Sequence, residues 1–332
     1  MILHLNEDIT PEKLFEIATS HEAVGFVDQS TPKLVLSSQV KEVPESLTSF
    51  VSESFLMDSD IQLASRAYLS EKRTIHVGNQ AIGGNTNNTM MMAGPCSIES
   101  WQQISEVAAF LKKLGIQTLR AGSFKPRTSP YSFQGLGEEG LKMLADVREE
   151  LGLNIITEVK DSSHVDLVIE YSDIVQIGTK AMYDQSILRA CGRTKKPVLL
   201  KRGFGTTLQE FVQAAEFILS GGNSEVMLCE RGIRTFENKT RFTLDLTGIA
   251  YLKEYTNLPV IIDPSHAMGY RYGVPDLARA AVAMGVDGLL IETHPIPEQA
   301  KSDAAQQLNF REFESLFHTL QPIANAIGKQ II

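Results

Sequence analysis

From residue 90 onward the chain alternates between two hydrophobic periods. Short apolar runs recur as "MMMAG", "TLRAG", "NIITE", "IVQIG", "VLLKRG", "VMLCERG", "VIIDPSH" and "GLLIETHP". Between them lie longer segments with apolar residues at helical spacing, such as "ISEVAAFLKKLG" and "TLQEFVQAAEFILSGG". Short continuous runs bounded by glycine read as strands buried on both faces, and the segments between them as amphipathic helices. Thr207 and Glu210 form a capping-box pair at the start of the second segment. Eight such repeats over about 240 residues are the measure of a (β/α)8 barrel, which assigns residues 90–332 to one α/β unit. A doubly wound sheet is the alternative, but no glycine-rich dinucleotide loop follows the first run.

Residues 1 to 70 carry a different pattern. "ILHL" reads as a strand, and Thr10-Pro11 as the cap and first position of a helix with Leu14, Ile17 and Ala18 on its apolar face. "AVGFV" and "KLVL" read as two further strands. Leu47, Phe50, Val51 and Phe55 predict a second amphipathic helix, and "DIQLASRAY" a closing strand. The order βαββαβ is a small α+β unit of the ferredoxin-like type. Residues 71–89 read as a hairpin about Gly78-Asn79 followed by the linker "NTNNT".

Composition narrows the function classes. The chain has 332 residues, 43% of them hydrophobic, with a net charge of −9. That length buries a large core, and the acidic balance makes nucleic acid and anionic membranes poor partners. An anionic small molecule requires a local basic pocket. There is no eighteen-residue apolar run for a transmembrane helix. "MILHLNEDIT" is too short and too soon acidic for a signal peptide. Three cysteines, Cys96, Cys191 and Cys229, fit a reducing compartment, so a cytoplasmic location is expected.

In a barrel, chemistry sits at the C-terminal strand ends, and the polar residues there are unusual. Cys96 follows the first strand, His266 lies in "DPSH", Glu292 ends "LLIE", and Asp303 lies in the loop beyond. A thiolate, an imidazole and two carboxylates suit manganese, iron, cobalt or zinc better than magnesium or calcium. The alternative is a packed Cys96 and a hydrogen-bonded loop His266, and scattered spacing alone leaves both open. Arg120, Lys125, Arg127, Lys201, Arg202 and Arg231 also fall at or just past strand ends. Cations recurring at one end of a barrel imply a bound anion, a phosphate plus a carboxylate. Ordinary ion pairs with Glu230, Glu158 or Asp263 account for one or two of them.

The blocks "AGPCSIES", "RAGSFKPRTSPYSFQGLGEEGL", "KPVLLKRGF", "LCERGIRTFE", "DPSHAMG" and "HPIPEQAKSD" together resemble the 3-deoxy-D-arabino-heptulosonate 7-phosphate (DAHP) synthases. The likeness is to the type I-beta kind, which carries an added N-terminal ferredoxin-like domain, and it runs in order over residues 75–320. It implies condensation of phosphoenolpyruvate with erythrose 4-phosphate and water, the first step of the shikimate pathway. By motif position, the resemblance makes Cys96, His266, Glu292 and Asp303 ligands of a divalent metal. It gives Arg120 and Lys125 to the phosphoenolpyruvate carboxylate side, Lys201 and Arg231 to its phosphate, and Arg127 and Thr128 to erythrose 4-phosphate. Lys125, Glu158 and His266 are expected to take part in catalysis, with Glu158 near the attacking water. The family's usual "QIGAR" stands here as "QIGTK", so Lys180 replaces an arginine at the phosphate. A homotetramer and an aromatic amino acid as effector are also implied.

Two rival readings remain. The sister 3-deoxy-octulosonate 8-phosphate synthase uses the same chemistry on arabinose 5-phosphate, but usually carries an "ANRSS"-like block in place of "KPRTS". A non-catalytic regulatory binding protein would have no use for all four metal-type residues.

Overall fold

The computed structural model of the chain describes residues 1–28, 30–125 and 129–332. The N-terminal segment forms an antiparallel sheet from β1 (Ile2–Leu5), β2 (Val24–Asp28), β3 (Thr31–Val35) and β4 (Val51–Phe55), in the order β2-β3-β1-β4. One helix, Pro11–Ser20, covers it, with Thr10 accepting from the Lys13 amide and Leu14, Ile17 and Ala18 packed inward.

The second half of this segment departs from the sequence expectation. A 3-10 helix at Glu45–Phe50 replaces the expected α-helix, and the closing strand is Val51–Phe55 rather than residues 60–68. The spacing of Leu47, Phe50, Val51 and Phe55 suits a helix. However, the "SLTSFVSES" stretch is rich in Ser and Thr, which compete for backbone hydrogen bonds. Val51 and Phe55 instead pair with Leu5 and Ile2 across the sheet edge.

A hairpin of β5 (Thr74–Val77) and β6 (Gln80–Gly83) follows, turning at Gly78 with φ 56°. Eight parallel strands then close on themselves: β7 (Asn88–Gly94), β8 (Thr118–Arg120), β9 (Asn154–Val159), β10 (Ile174–Ile177), β11 (Val198–Lys201), β12 (Val226–Glu230), β13 (Val260–Ile262) and β14 (Gly288–Glu292). Each pairs with the next, and β14 returns to β7 with Leu290 opposite Met92. A last short strand, β15 (Gln330–Ile331), also pairs with β7. A helix of seven residues or more follows every barrel strand, eight in all among the described residues, so the fold is a (β/α)8 barrel.

The unbroken apolar runs follow from burial on both strand faces. Met91, Ala93, Ile155, Val175, Leu200, Leu228, Ile262 and Leu289 pack outward against the helices. Met92, Ile156, Ile174, Leu199, Met227, Cys229, Ile261 and Leu290 fill the interior, joined by Ile75, Val77 and Ile82 of the hairpin. The hairpin therefore plugs the N-terminal end, where Thr118 and Asn154 hydrogen-bond to Gln80 and Val77. Among the described residues the C-terminal end has no such plug. Ser100 caps the helix Trp101–Lys113, and Thr207 with Glu210 makes the expected capping box.

One carboxylate anchors the segment joining the small sheet to the barrel, beside the backbone and Asn257 contacts that also hold it. Glu216, on the helix Leu208–Leu219, accepts from the amides of Gln62 and Ala64 at 2.8 Å each and of Leu63 at 3.1 Å. Burial raises Glu216 to about 7 despite these donors.

Candidate active site

Side-chain alternation in the strands builds the site. Counting by two from interior residues leads from Thr118 to Arg120, from Ile156 to Glu158 and from Leu199 to Lys201. The same count leads from Cys229 to Arg231, Ile261 to Asp263 and Leu290 to Glu292. Six of the eight strands therefore aim a polar residue into the open end. The opposite register explains Arg202, which turns outward and pairs with Glu230 and Asp245 at 2.8 Å each. Arg202 is a structural cation and contributes nothing to the pocket.

Cys96, His266, Glu292 and Asp303 offer ligand atoms that all lie within 4.8 Å of one another. His266 enters through a local cap. Asp263 follows β13 as the cap of the short helix Pro264–Met268 and accepts from the His266 amide at 2.9 Å. The predicted strand over "VIIDPSH" therefore stops at Ile262. Asp263 Oδ2 also sits 2.7 Å from His266 Nδ1 and 2.5 Å from Lys201 Nζ. The carboxylate fixes the ring proton on Nδ1 and leaves Nε2 facing Glu292 Oε1 at 3.6 Å and Asp303 Oδ2 at 3.9 Å.

The protonation states fit a cation centre. Burial keeps His266 below its ordinary value. Burial alone would raise Glu292 and Asp303. His266 and Arg120 overcome it for Glu292, and Lys125, His266 and Arg241 overcome it for Asp303, holding both below their ordinary values. Burial, reinforced by the Glu292 charge, pushes the Cys96 thiol up, and its Sγ donates to Asp303 Oδ2 at 3.2 Å. Coordination reverses that balance, because a metal-bound thiol loses its proton. Asp303 adopts φ 47°, a left-handed conformation uncommon outside glycine. One soft donor, one imidazole and two carboxylates can therefore hold a divalent ion.

Beside this cluster lies a cavity of about 330 Å3, lined by Lys125, Glu158, Lys180, Lys201, Arg231, Arg234, Arg241 and His266 among others. Arg231 is 4% exposed, and its Nε and Nη1 have no hydrogen-bond partner among the described residues. Its guanidinium stacks on Phe242, 4.3 Å from the ring centroid. Burial pulls it below its ordinary value. A buried cation with free donors in a pocket calls for an anion. Arg120 donates to Glu292 Oε1 at 2.7 Å and to the Pro95 carbonyl, but its Nε has no partner among the described residues. Burial lowers Lys125, yet Cys96, Glu292, Asp303 and Glu158 outweigh it and hold the ammonium above its ordinary value. Glu158 accepts from Gln176 Nε2 at 2.6 Å. Its carboxylate fits because residue 178 is glycine; a Cβ there would come 2.2 Å from Glu158 Oε1.

Of the predicted site residues, Cys96, Arg120, Lys125, Glu158, Lys180, Lys201, Arg231, His266, Glu292 and Asp303 all come to this end of the barrel. Arg127 and Thr128 lie outside the described residues. Sequence reasoning gave no site role to Asp263, Gln306, Arg241 or Phe242. Asp263 could have been found by counting two from Ile261; the others come from loops, where no period applies.

Barrel enzymes work at this end of their strands, and here it gathers basic side chains beside metal-type donors. The sequence profile of the DAHP synthetase I family matches residues 67–328, and the chain belongs to that family. It is 43% identical over 270 residues to a phospho-2-dehydro-3-deoxyheptonate aldolase of Thermotoga maritima, covering 81% of this chain and 79% of that one. A 2-dehydro-3-deoxyphosphooctonate aldolase of Stenotrophomonas maltophilia is 34% identical over 258 residues, covering 72% of this chain and 92% of that one. The solved DAHP synthase of Thermotoga maritima superposes with a TM-score of 0.81 at 38% identity, covering 100% of this chain and 99% of that one. A truncated form of the Thermotoga enzyme gives 0.77 at 39% identity, covering 82% of this chain and all of that one.

Proposed function

We propose that this chain is a DAHP synthase, a transferase that condenses phosphoenolpyruvate with erythrose 4-phosphate and water to give DAHP and phosphate. This is the first step of the shikimate pathway to the aromatic amino acids. Family membership supports the reaction. The observation that carries the site assignment is Arg231, whose buried, unpartnered donors line the same cavity as Lys201, His266 and Asp303.

Carbon C3 of phosphoenolpyruvate attacks the aldehyde carbon of erythrose 4-phosphate, and C2 takes a water. The resulting hemiketal phosphate expels phosphate and leaves the ketone. Two polyanions must meet, so fixed cations do much of the work by holding them in contact. Arg231, Lys201 and Lys180 hold the phosphoenolpyruvate phosphate, and Arg120 with Lys125 its carboxylate side. Lys180 keeps the charge of the family arginine without the bidentate fork. Arg127 and Thr128 are assigned to erythrose 4-phosphate. Lys125 is suited to giving a proton to the new hydroxyl, and Glu158 to orienting the water. Cys96, His266, Glu292 and Asp303 would hold a divalent ion of manganese, iron, cobalt or zinc, which would supply Lewis-acid polarisation of the aldehyde.

The type I-beta assignment rests on residues 1–70. Their strand order and all-antiparallel pairing suit a ferredoxin-like unit, followed by the 71–89 connector, whose last two residues, Asn88 and Thr89, already belong to β7, and the 90–332 barrel. This unit supplies none of the site residues, and its proposed role is feedback control by an aromatic amino acid within a homotetramer. A cytoplasmic location suits the three buried free thiols; among the described residues no helix is long and apolar enough to cross a membrane.

The test is loss of phosphoenolpyruvate with erythrose 4-phosphate and, separately, with arabinose 5-phosphate. Turnover with erythrose 4-phosphate is expected. Preference for the pentose phosphate would assign the chain to the octulosonate branch.

A further inference from the structure

Gln306 is 1% exposed and uses both ends of its side-chain amide. Its Nε2 donates to Glu292 Oε2 at 2.6 Å, and its Oε1 accepts from Arg241 Nη1 at 2.7 Å. The orientation is dictated by the partners, since a carboxylate can only accept and a guanidinium can only donate. The same Arg241 nitrogen lies 3.5 Å from Asp303 Oδ1. Glu292 and Asp303 each therefore have one oxygen tied off by this pair. Their other oxygens turn inward. Glu292 Oε1 lies 3.6 Å from His266 Nε2 and also accepts from Arg120 Nη1 at 2.7 Å, which leaves it a second lone pair, and Asp303 Oδ2 lies 3.9 Å from that nitrogen and 3.2 Å from Cys96 Sγ.

We infer that Gln306 is a positioning residue which, with Arg241, makes Glu292 and Asp303 one-oxygen ligands of the metal. The inference rests on the four-residue metal reading above. Two carboxylates free to rotate could each offer both oxygens and fill the coordination shell. Held to one oxygen each, four donors leave a position open for a substrate oxygen, as a catalytic site requires. Glutamine suits the position because it is neutral and has one donating and one accepting end. A glutamate would set an acceptor against Glu292, and a lysine would set a donor against Arg241.

The test uses the full chain carrying Gln306→Leu and, separately, Gln306→Asn, which is one methylene too short to span both partners. Manganese affinity is measured by competition with a chelating indicator, the bound-ion geometry by electron paramagnetic resonance, and the fold by thermal unfolding. Both variants are expected to bind Mn2+ roughly 10–100-fold more weakly, with an altered resonance spectrum. If Gln306→Leu does not fold, Gln306→Asn carries the test. A lowered unfolding temperature with wild-type affinity and spectrum would overturn the inference and leave Gln306 a packing residue. Failure of the unaltered chain to take up Mn2+ would overturn the metal site itself, and the inference with it.

Discussion

His266 Nδ1 lies 2.7 Å from Asp263 Oδ2, and that contact decides which ring nitrogen faces the donor cluster. Asp263→Asn would remove the charge that holds the proton on Nδ1 and would strip Lys201 of its ion partner. The expected outcome is metal affinity lower by about 10–100-fold, together with a higher Michaelis constant for phosphoenolpyruvate. Indicator competition and steady-state kinetics check the two effects separately. Unchanged metal affinity would show that Asp263 does not orient the ligand.

Arg231 and Lys180 divide the phosphate assignment. Arg231→Lys keeps the charge but loses the donor fork and the stack on Phe242. Losing a charge-assisted hydrogen bond costs on the order of 1.5–3 kcal/mol, so phosphoenolpyruvate should bind at least about tenfold more weakly. Lys180→Ala should move the same constant in the same direction. If only Arg231→Lys has an effect, Lys180 is not a phosphate ligand. Isothermal titration with phosphoenolpyruvate alone separates these outcomes from effects on catalysis.

Glu216 sets a pH signature away from the site. Its raised value of about 7, against 4.5 for an ordinary glutamate, means that the folded chain holds this proton more tightly than the unfolded chain. Its contribution to stability is therefore complete below about pH 4.5 and is lost as pH rises through about 7. Gln62 and Ala64 both donate to the same oxygen, Oε1, so Glu216→Gln can keep two of the three amide bonds. The difference in unfolding temperature, variant minus wild type, should become more positive between about pH 5 and about pH 8. A difference that does not vary with pH would contradict the raised value.

The barrel was legible because its strands are largely apolar on both faces and most end on, or are followed closely by, a polar residue. The period of two already separates Lys201, which points inward, from its neighbour Arg202, which points outward. The second element of the small sheet was misread because Leu47, Phe50, Val51 and Phe55 satisfy a helical spacing while also serving a turn and an edge strand. Gln306 and Arg241 lie 65 residues apart on loops, and only the folded barrel brings them to the same carboxylates.

The small sheet has a testable role of its own. Deleting residues 1 to 70 would remove the Gln62–Ala64 amides bound by Glu216, whereas deleting residues 1 to 55 spares them. The shorter deletion should leave an active barrel that no longer responds to tyrosine or phenylalanine. If the full-length chain ignores those two, tryptophan, chorismate and prephenate alike, the segment is structural.

Phosphate release from phosphoenolpyruvate in the presence of erythrose 4-phosphate, followed with and without a chelator, tests the central claim most directly. The account predicts release that EDTA abolishes and that manganese or another first-row divalent ion restores, and that Cys96→Ala, though still folded, has nearly lost. Full release in the thoroughly chelated enzyme, or none with erythrose 4-phosphate under any metal, would contradict it.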